Sequence, residues 1–316
     1  MSAHANKEDD AWCIASVEAS HFYHVEPGSL VLMPKHGGSG SRLLVDSDAW
    51  KPLAIARWAE WHGVRHVAFG DLERLALFQS LGDVVSSCLE SGVGLLVSTE
   101  GIVSAESRNA LFKGVKAVNL HLKGFTDAFY IEQTGSQLRP VLETLLHLYH
   151  ETDCWLEITT RLIPGLNDHP VEIDAMTKWL VKHLGHDVPL HFACCHGQGS
   201  DRSGHVAATE TLRRAQKIAR SNGHSHVYLE DPDSTSDRDT GCDCCGRTLI
   251  VRQKGRLVRN DLVDLNACPS CGMRLQGRFF EPSWDPLKTG EPSRSKDRAG
   301  LSRGITVKPV IESAAF

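Results

Sequence analysis

The sequence predicts an α/β fold, with six strand–helix units followed by a small four-cysteine module. Three observations predict it. Short apolar runs alternate with segments whose apolar residues recur at helical spacing. Glycine or proline closes most of these segments. Two C-x2-C-G pairs stand beyond the last unit. Repeated strand–helix alternation demands parallel strands joined by right-handed crossovers. Such a chain closes into a partial or full (β/α) barrel, or opens into a doubly wound sheet. In both, function sits at the carboxyl ends of the strands.

Residues 1–20 read as a loose leader, polar and acidic at first. Residues 29–33 are an apolar strand closed by Pro34. The stretch Lys35-His-Gly-Gly-Ser-Gly-Ser-Arg42 is flexible by composition. A helix starts near Asp48, with Pro52 in its first turn and Gly63 as its stop. Residues 66–69 are the second strand, and Leu77, Leu81, Val84, Val85 and Cys88 form the stripe of the next helix. Residues 94–97 are the third strand, with a short helix over 104–112.

The fourth strand, Val118-Asn-Leu-His-Leu-Lys-Gly124, organises the reading of function. Period two puts Asn119, His121 and Lys123 on one face. A buried parallel strand is normally apolar on both faces, so this face predicts a strand tip aimed into a pocket. A wet edge strand is the alternative. Leu138, Val141, Leu142, Leu145 and Tyr149 mark the next helix, and residues 155–163 the fifth strand. Pro164-Gly-Leu-Asn-Asp168 turns out of it, and Asp168 or His169 caps the helix that Pro170 begins. Residues 189–193 are the sixth strand and run into Cys194, Cys195 and His196. A helix through Leu212, Ala215, Ile218 and Ala219 stops at Gly223, before a short seventh strand over 226–229.

Net charge is −5 over 316 residues, with a pI near 6.4, which argues against nucleic acid or an anionic membrane as the main partner. No apolar run is long enough to span a bilayer, and the polar first residues are no secretory signal. The expected location is the cytoplasm. There, ten cysteines, several closely paired, read as metal ligands or free thiols.

Cys242 and Cys245, then Cys268 and Cys271, have the spacing of two metal knuckles, each followed by a glycine that lets the backbone turn. Four thiolates predict a closed tetrahedral zinc site that folds its module and has no open position for chemistry. A rubredoxin-like iron centre or a cluster is the alternative. Cys244 is read as a spare thiol. The expected units are a leader at 1–20, a barrel at 21–232, the four-cysteine module at 240–278 and a tail without a core at 279–316.

Several segments together resemble the radical SAM proteins of the AmmeMemoRadiSam system, relatives of pyruvate formate-lyase activating enzymes. They are Phe22-Tyr-His-Val-Glu-Pro-Gly-Ser29, Val118-Asn-Leu-His-Leu-Lys-Gly-Phe125, Thr134-Gly135, Trp155-Leu-Glu-Ile-Thr-Thr160, Ile163-Pro-Gly-Leu-Asn-Asp168, Pro189-Leu-His-Phe192 with His196, and the cysteine pairs. The resemblance covers roughly residues 20–280. It implies a partial (β/α)6 radical-SAM-type barrel with a zinc-ribbon-like domain. It also implies S-adenosylmethionine near Lys123 and His196.

The same comparison exposes three departures. After the first strand the family carries a C-x3-C-x2-C loop for a 4Fe–4S cluster, whereas Lys35 to Arg42 contains no cysteine. His121 stands where the family has the aspartate of Asp-x-Lys, although Lys123 is kept. Gly70-Asp-Leu-Glu73 lacks the Asn-Glu/Asp-Pro type of segment. The first expectation is therefore a pseudoenzyme: a binding or assembly partner, by resemblance for Memo-like or Ammecr-like proteins, with structural zinc and no cluster. The second is a metalloenzyme with a rebuilt site from His121, His196 and Cys194 or Cys195. Against it, Cys194 and Cys195 read more readily as buried small hydrophobes. The third is a radical SAM enzyme with an unusual cluster site.

Overall fold

The structure is a computed structural model that describes residues 12–34, 52–70, 81–194, 202–230 and 236–279. Lys35 to Arg42, the Asp71–Glu73 segment, Cys195, His196 and nearly all of the expected tail lie outside the described residues. Strands β1 (Trp12–Ser16), β2 (Leu30–Pro34), β3 (His66–Phe69), β4 (Gly94–Thr99), β5 (Ala117–His121), β6 (Trp155–Leu162), β7 (Leu190–Cys194) and β8 (Val227–Leu229) form one sheet in that order. β1 is antiparallel to β2, and the pairs from β2 to β8 are all parallel.

Between the parallel strands run α1 (Pro52–Trp61), α2 (Leu81–Glu90), α3 (Ala105–Phe112), α4 (Asp127–Thr134), α5 (Leu138–Glu151), α6 (Pro170–Leu184) and α7 (Arg202–Ser221). A doubly wound sheet needs a point where the strand order reverses. This order never reverses, so same-handed crossovers leave the helices on one face and bend the sheet around the other. The result is an α/β partial barrel. Its outer core joins Val67, Val97, Val118, Leu120, Ile158 and Phe192 of the strands to Ile55, Val84, Val141, Leu145, Met176 and Leu212 of the helices. Each such side chain contributes about 1.5–3 kcal/mol on burial.

Local chemistry sets the helix ends. Thr126 accepts from the Phe129 amide to start α4, and Gly135 ends it at φ 68°. Of the two candidate caps for α6, His169 is the one used, accepting from the Val171 amide at 3.3 Å. Asp168 Oδ1 instead accepts from Gly165 N and tightens the turn.

The leader expectation fails over residues 12–20. Trp12–Ser16 is a strand and Val17–Ser20 a 3-10 turn. Trp12 is buried against Phe69, and Glu18 is fully enclosed. Apolar packing of Trp12 and Val17 therefore outweighs the polar start of the chain. From the turn, the chain enters the concave face of the sheet. Val17, Phe22 and Val25 meet Val31, Ala68, Leu96 and Ala117 in a second, inner core. The barrel is thus filled by its own β1–β2 connection.

The cysteine module, β9 (Thr240–Gly241), β10 (Thr248–Gln253) and β11 (Arg256–Asn260), is a three-stranded antiparallel sheet. It is fastened to the inner segment by Arg252, whose side chain is fully buried. The guanidinium donates to Tyr23 O at 2.6 Å, Arg238 O at 2.9 Å and Thr240 Oγ1 at 2.8 Å, and lies over the Tyr23 ring. Glu18 Oε1 stands 3.8 Å from its Nε. Arg252→Met should lower stability by about 3–5 kcal/mol, because it strands a buried carboxylate and two carbonyls. Denaturant unfolding of the full chain measures this, and a loss below about 0.5 kcal/mol would show that the contact is dispensable. Gly28 marks the close approach. Its φ is +82°, and a Cβ there would meet Leu257 Cδ2 at 2.6 Å.

Candidate functional site

The four cysteines converge. Gly246 N donates to Cys242 O at 2.8 Å and Gly272 N to Cys268 O at 2.9 Å, so each pair sits in a tight turn. Both glycines have positive φ, 72° and 76°, where a side chain would be strained. Cys242 Sγ lies 3.5 Å from Cys271 Sγ, and Cys245 Sγ 3.7 Å from Cys268 Sγ. All four sulfurs fall within 4.8 Å of one another. A tetrahedron with metal–sulfur bonds of about 2.3 Å has edges of about 3.8 Å, so the set fits zinc. Ser270 N points at Cys268 Sγ, a donor suited to a thiolate. Cys244 is exposed and outside the group. Among the described residues this is the single such group of three or more His, Cys, Asp or Glu side chains.

At the carboxyl ends of the strands the expected residues divide. Lys123 lies just past β5 and pairs with Glu100, past the end of β4. Asn167 ties the β5 and β6 ends together, donating to Lys123 O at 2.5 Å and Arg161 O at 2.9 Å. Asn119 and Thr159 face inward. Their neighbours Val118, Leu120 and Ile158 belong to the outer core, and Thr160 contacts Met176 of α6. His121 shares the inward face of Asn119 by period two. Cys194 does not converge with it, because it packs against the outer core behind the sheet. The rebuilt-site expectation takes either Cys194 or Cys195; this sets aside Cys194 alone, since Cys195 and His196 lie outside the described residues. Alternation along β7 sends Cys194 to the same side as Phe192, and the small thiol is kept there by packing.

Sequence reasoning missed the polar network on the inner face. Glu157 of β6 is fully buried. It accepts from the amides of Tyr23 at 3.0 Å and His24 at 2.8 Å, from Trp155 Nε1 at 3.1 Å, and faces His191 Nε2 at 2.8 Å. His191 Nδ1 lies 3.3 Å from Glu230, which Arg238 approaches at 3.5 Å. Burial alone would lower the His191 imidazole, but its bonds to the two carboxylates outweigh this and raise it. Burial pushes Glu230 up, yet His21, His191 and Arg238 hold it down at about 2. The usable signal was an acidic residue inside an apolar strand, which needs a buried partner.

A second chain of bonds reaches the module. His24 Nδ1 lies 2.7 Å from the Gln276 carbonyl and must donate to it. Its Nε2 then accepts from Tyr228 at 2.6 Å, and Tyr228 accepts from Thr240 at 2.8 Å. At the opposite end of the strands Glu26 gathers Arg65, His66 and Lys116. Burial would raise Glu26, but these three donors, His66 first, hold it well below the usual carboxylate range.

The cluster that the family resemblance implies does not fit the residues present. Lys35 to Arg42 offers no thiolate. The described cysteines outside the module sit apart, Cys13 on β1, Cys88 buried on α2, Cys154 bonded to the Phe112 and Val115 carbonyls, and Cys194 on β7.

Fold and site together define an α/β partial barrel with a four-cysteine metal-binding module. No family model matches the chain. It is similar to an uncharacterized protein of Methanocaldococcus jannaschii, 25% identical over 278 residues that cover 83% of this chain and 82% of that one. Among solved structures it is similar to a domain of a pyruvate-formate lyase-activating enzyme from Bacteroides vulgatus. That match has a TM-score of 0.45 and 16% identity, and covers 52% of this chain and 97% of that one. It is also similar to Streptococcus suis SuiB bound to S-adenosylmethionine, with a TM-score of 0.42, 12% identity, and coverage of 56% of this chain and 40% of that one. No helix among the described residues is long and apolar enough to cross a membrane.

Proposed function

We propose that this chain is a non-radical binding or assembly protein on a radical-SAM-type barrel, with zinc as the structural metal of its four-cysteine module. The observation that carries the reading is the stretch Lys35 to Arg42, which has no thiolate where a cluster would need three. The concave face adds support, since the chain's own residues 21–26 occupy it and are tied to Glu157. Zinc is favoured over iron by a closed set of four thiolates that needs no redox change to hold its module.

In this reading Lys123 and His196 are what remains of an S-adenosylmethionine pocket, and the protein partner is Memo-like or Ammecr-like, as the sequence resemblance implies. Metal analysis after purification without oxygen tests the assignment. It should find one zinc per chain and neither iron nor labile sulfide beyond background. Stoichiometric iron with sulfide would contradict it. Calorimetric titration with S-adenosylmethionine tests the pocket, and Lys123→Ala should weaken any binding by roughly tenfold, as expected for loss of a charged hydrogen bond.

A further inference from the structure

Strand β1 forms one side of the eight-stranded sheet, and no strand of the described residues pairs with its outer edge. The direction of its backbone groups follows from one bond. Val17 N donates to Ser29 O at 2.9 Å, in the same register that pairs Cys13 with Met33 and Ala15 with Val31. Antiparallel partners alternate between bonded and non-bonded pairs, so Cys13 and Ala15 bond to β2 while Ile14 and Ser16 point their N–H groups outward. Ile14 therefore presents both its N–H and its C=O along the free edge, and neither has a partner among the described residues.

Native sheets blunt such edges with charge, proline, bulges, short strands or cover. The other edges here follow that rule. β11 carries Arg256 and Arg259, and its pairing with β10 is broken by a register shift. β9 has two residues, and Val227, Tyr228 and Leu229 of β8 are all buried. β1 carries no such device in its sequence or pairing: Trp12–Ser16 holds no charge and no proline, and its register with β2 is continuous. Its outer face is apolar too. Trp12 and Leu32 belong to the outer core, and alternation puts Ile14 and Leu30 on that same side, where they are 37% and 48% exposed.

We propose that two copies of this chain pair antiparallel along β1, about a twofold axis at Ile14, and so join their two sheets into one. The register is self-complementary. Ile14 N–H meets the partner's Ile14 C=O, and the reverse bond forms by symmetry. The two isoleucine side chains then lie opposite each other on the outer face, with Leu30 close by on each β2. Charge selects a second copy over another partner. The net charge of −5 opposes self-association in general, but β1 and β2 hold no charged residue. Like charges directly opposite weaken a strand pair, and here there are none to oppose. An edge that captured a charged peptide would carry the opposite charge. The pairing needs neither the metal nor S-adenosylmethionine.

Sedimentation velocity of the full-length protein over a concentration series tests this, and should show a reversible monomer–dimer equilibrium. Ile14→Pro removes an N–H that β2 does not use, so it should leave Tm within about 2 °C of wild type. It should weaken the dimer at least ~10-fold, since two symmetric bonds are lost. Ile14→Lys and Ile14→Glu should each weaken it as much, because like charges then face each other across the axis. An equimolar mixture of these two variants should associate again. A monomer at every concentration overturns the proposal, whatever extended peptide the edge then accepts. So does a dimer that all three substitutions leave intact, or a mixture no better associated than either variant alone. The mixture keeps the test decisive if Ile14→Pro melts early.

Discussion

Replacing Cys268 with serine should release the metal and melt residues 240–279, with Cys242→Ser, Cys245→Ser and Cys271→Ser behaving alike. The module has little else to hold it. Its buried core is Cys242, Leu249, Ile250, Cys268 and Leu275, two of which belong to the four-cysteine group. A core of that size cannot offset the ordering entropy of its own chain. Structural zinc supplies about 10–16 kcal/mol to small sites of this kind, which makes metal loss the largest single effect expected here. The damage should spread inward, because Arg252 and Gln276 hold Tyr23 and His24 from the module side. Cys244→Ser, by contrast, should leave metal content and melting unchanged. Metal analysis with limited proteolysis reads both arms. Equal sensitivity to Cys244, or a module that resists proteolysis without metal, would defeat the assignment.

Glu157→Gln should destabilise the chain by about 3–5 kcal/mol, the cost of breaking a buried charged pair. The substitution keeps the shape but turns an amide NH2 toward donors. The carboxylate receives the Tyr23 and His24 amides and the Trp155 indole, so at least one of these loses its acceptor. His191 loses its partner at 2.8 Å. The pH dependence follows from the direction of the His191 shift. Its folded pKa is raised, so its contribution is fully present below the unfolded value of about 6.5 and fades as pH rises through the folded value. The gap between wild type and Glu157→Gln should therefore be wider near about pH 6 than near about pH 9. Glu230 acts from the acid side. Held at about 2, it adds stability above its unfolded value that is lost as pH falls toward 2. A Glu157→Gln protein as stable as wild type, or a gap that widens with pH, would show that His191 is neutral in the fold.

The strands and helices were legible because their apolar patterns are strong and local. Residues 66–69 and 94–97 read as strands, and the helix stripe at Val84, Val85 and Cys88 packs as its spacing implied. The cysteine module was legible because metal ligation imposes its own spacing. What stayed hidden depends on contacts distant in sequence. Nothing near Trp12 shows that it will pair with Pro34 or meet Phe69. The short helix α4 was missed although Thr126 and Gly135 bracket it with a cap at each end. Tyr23 and His24 stood out only through family likeness, whereas their physical role is to meet Glu157 across more than a hundred residues of chain. Of the polar face expected on β5, Asn119 meets the chain's own His21 carbonyl, a contact distant in sequence.

One measurement tests directly whether this barrel does radical chemistry. The full-length protein is incubated with iron and sulfide without oxygen, given reductant and S-adenosylmethionine, and assayed for 5′-deoxyadenosine. Lys35 to Arg42 cannot hold a cluster, so the yield should equal the no-protein control. Yield above that control, with visible cluster absorption that survives serine at Cys242, Cys245, Cys268 and Cys271 together, would contradict the account. It would place iron on cysteines among Cys13, Cys88, Cys154, Cys194 and Cys195.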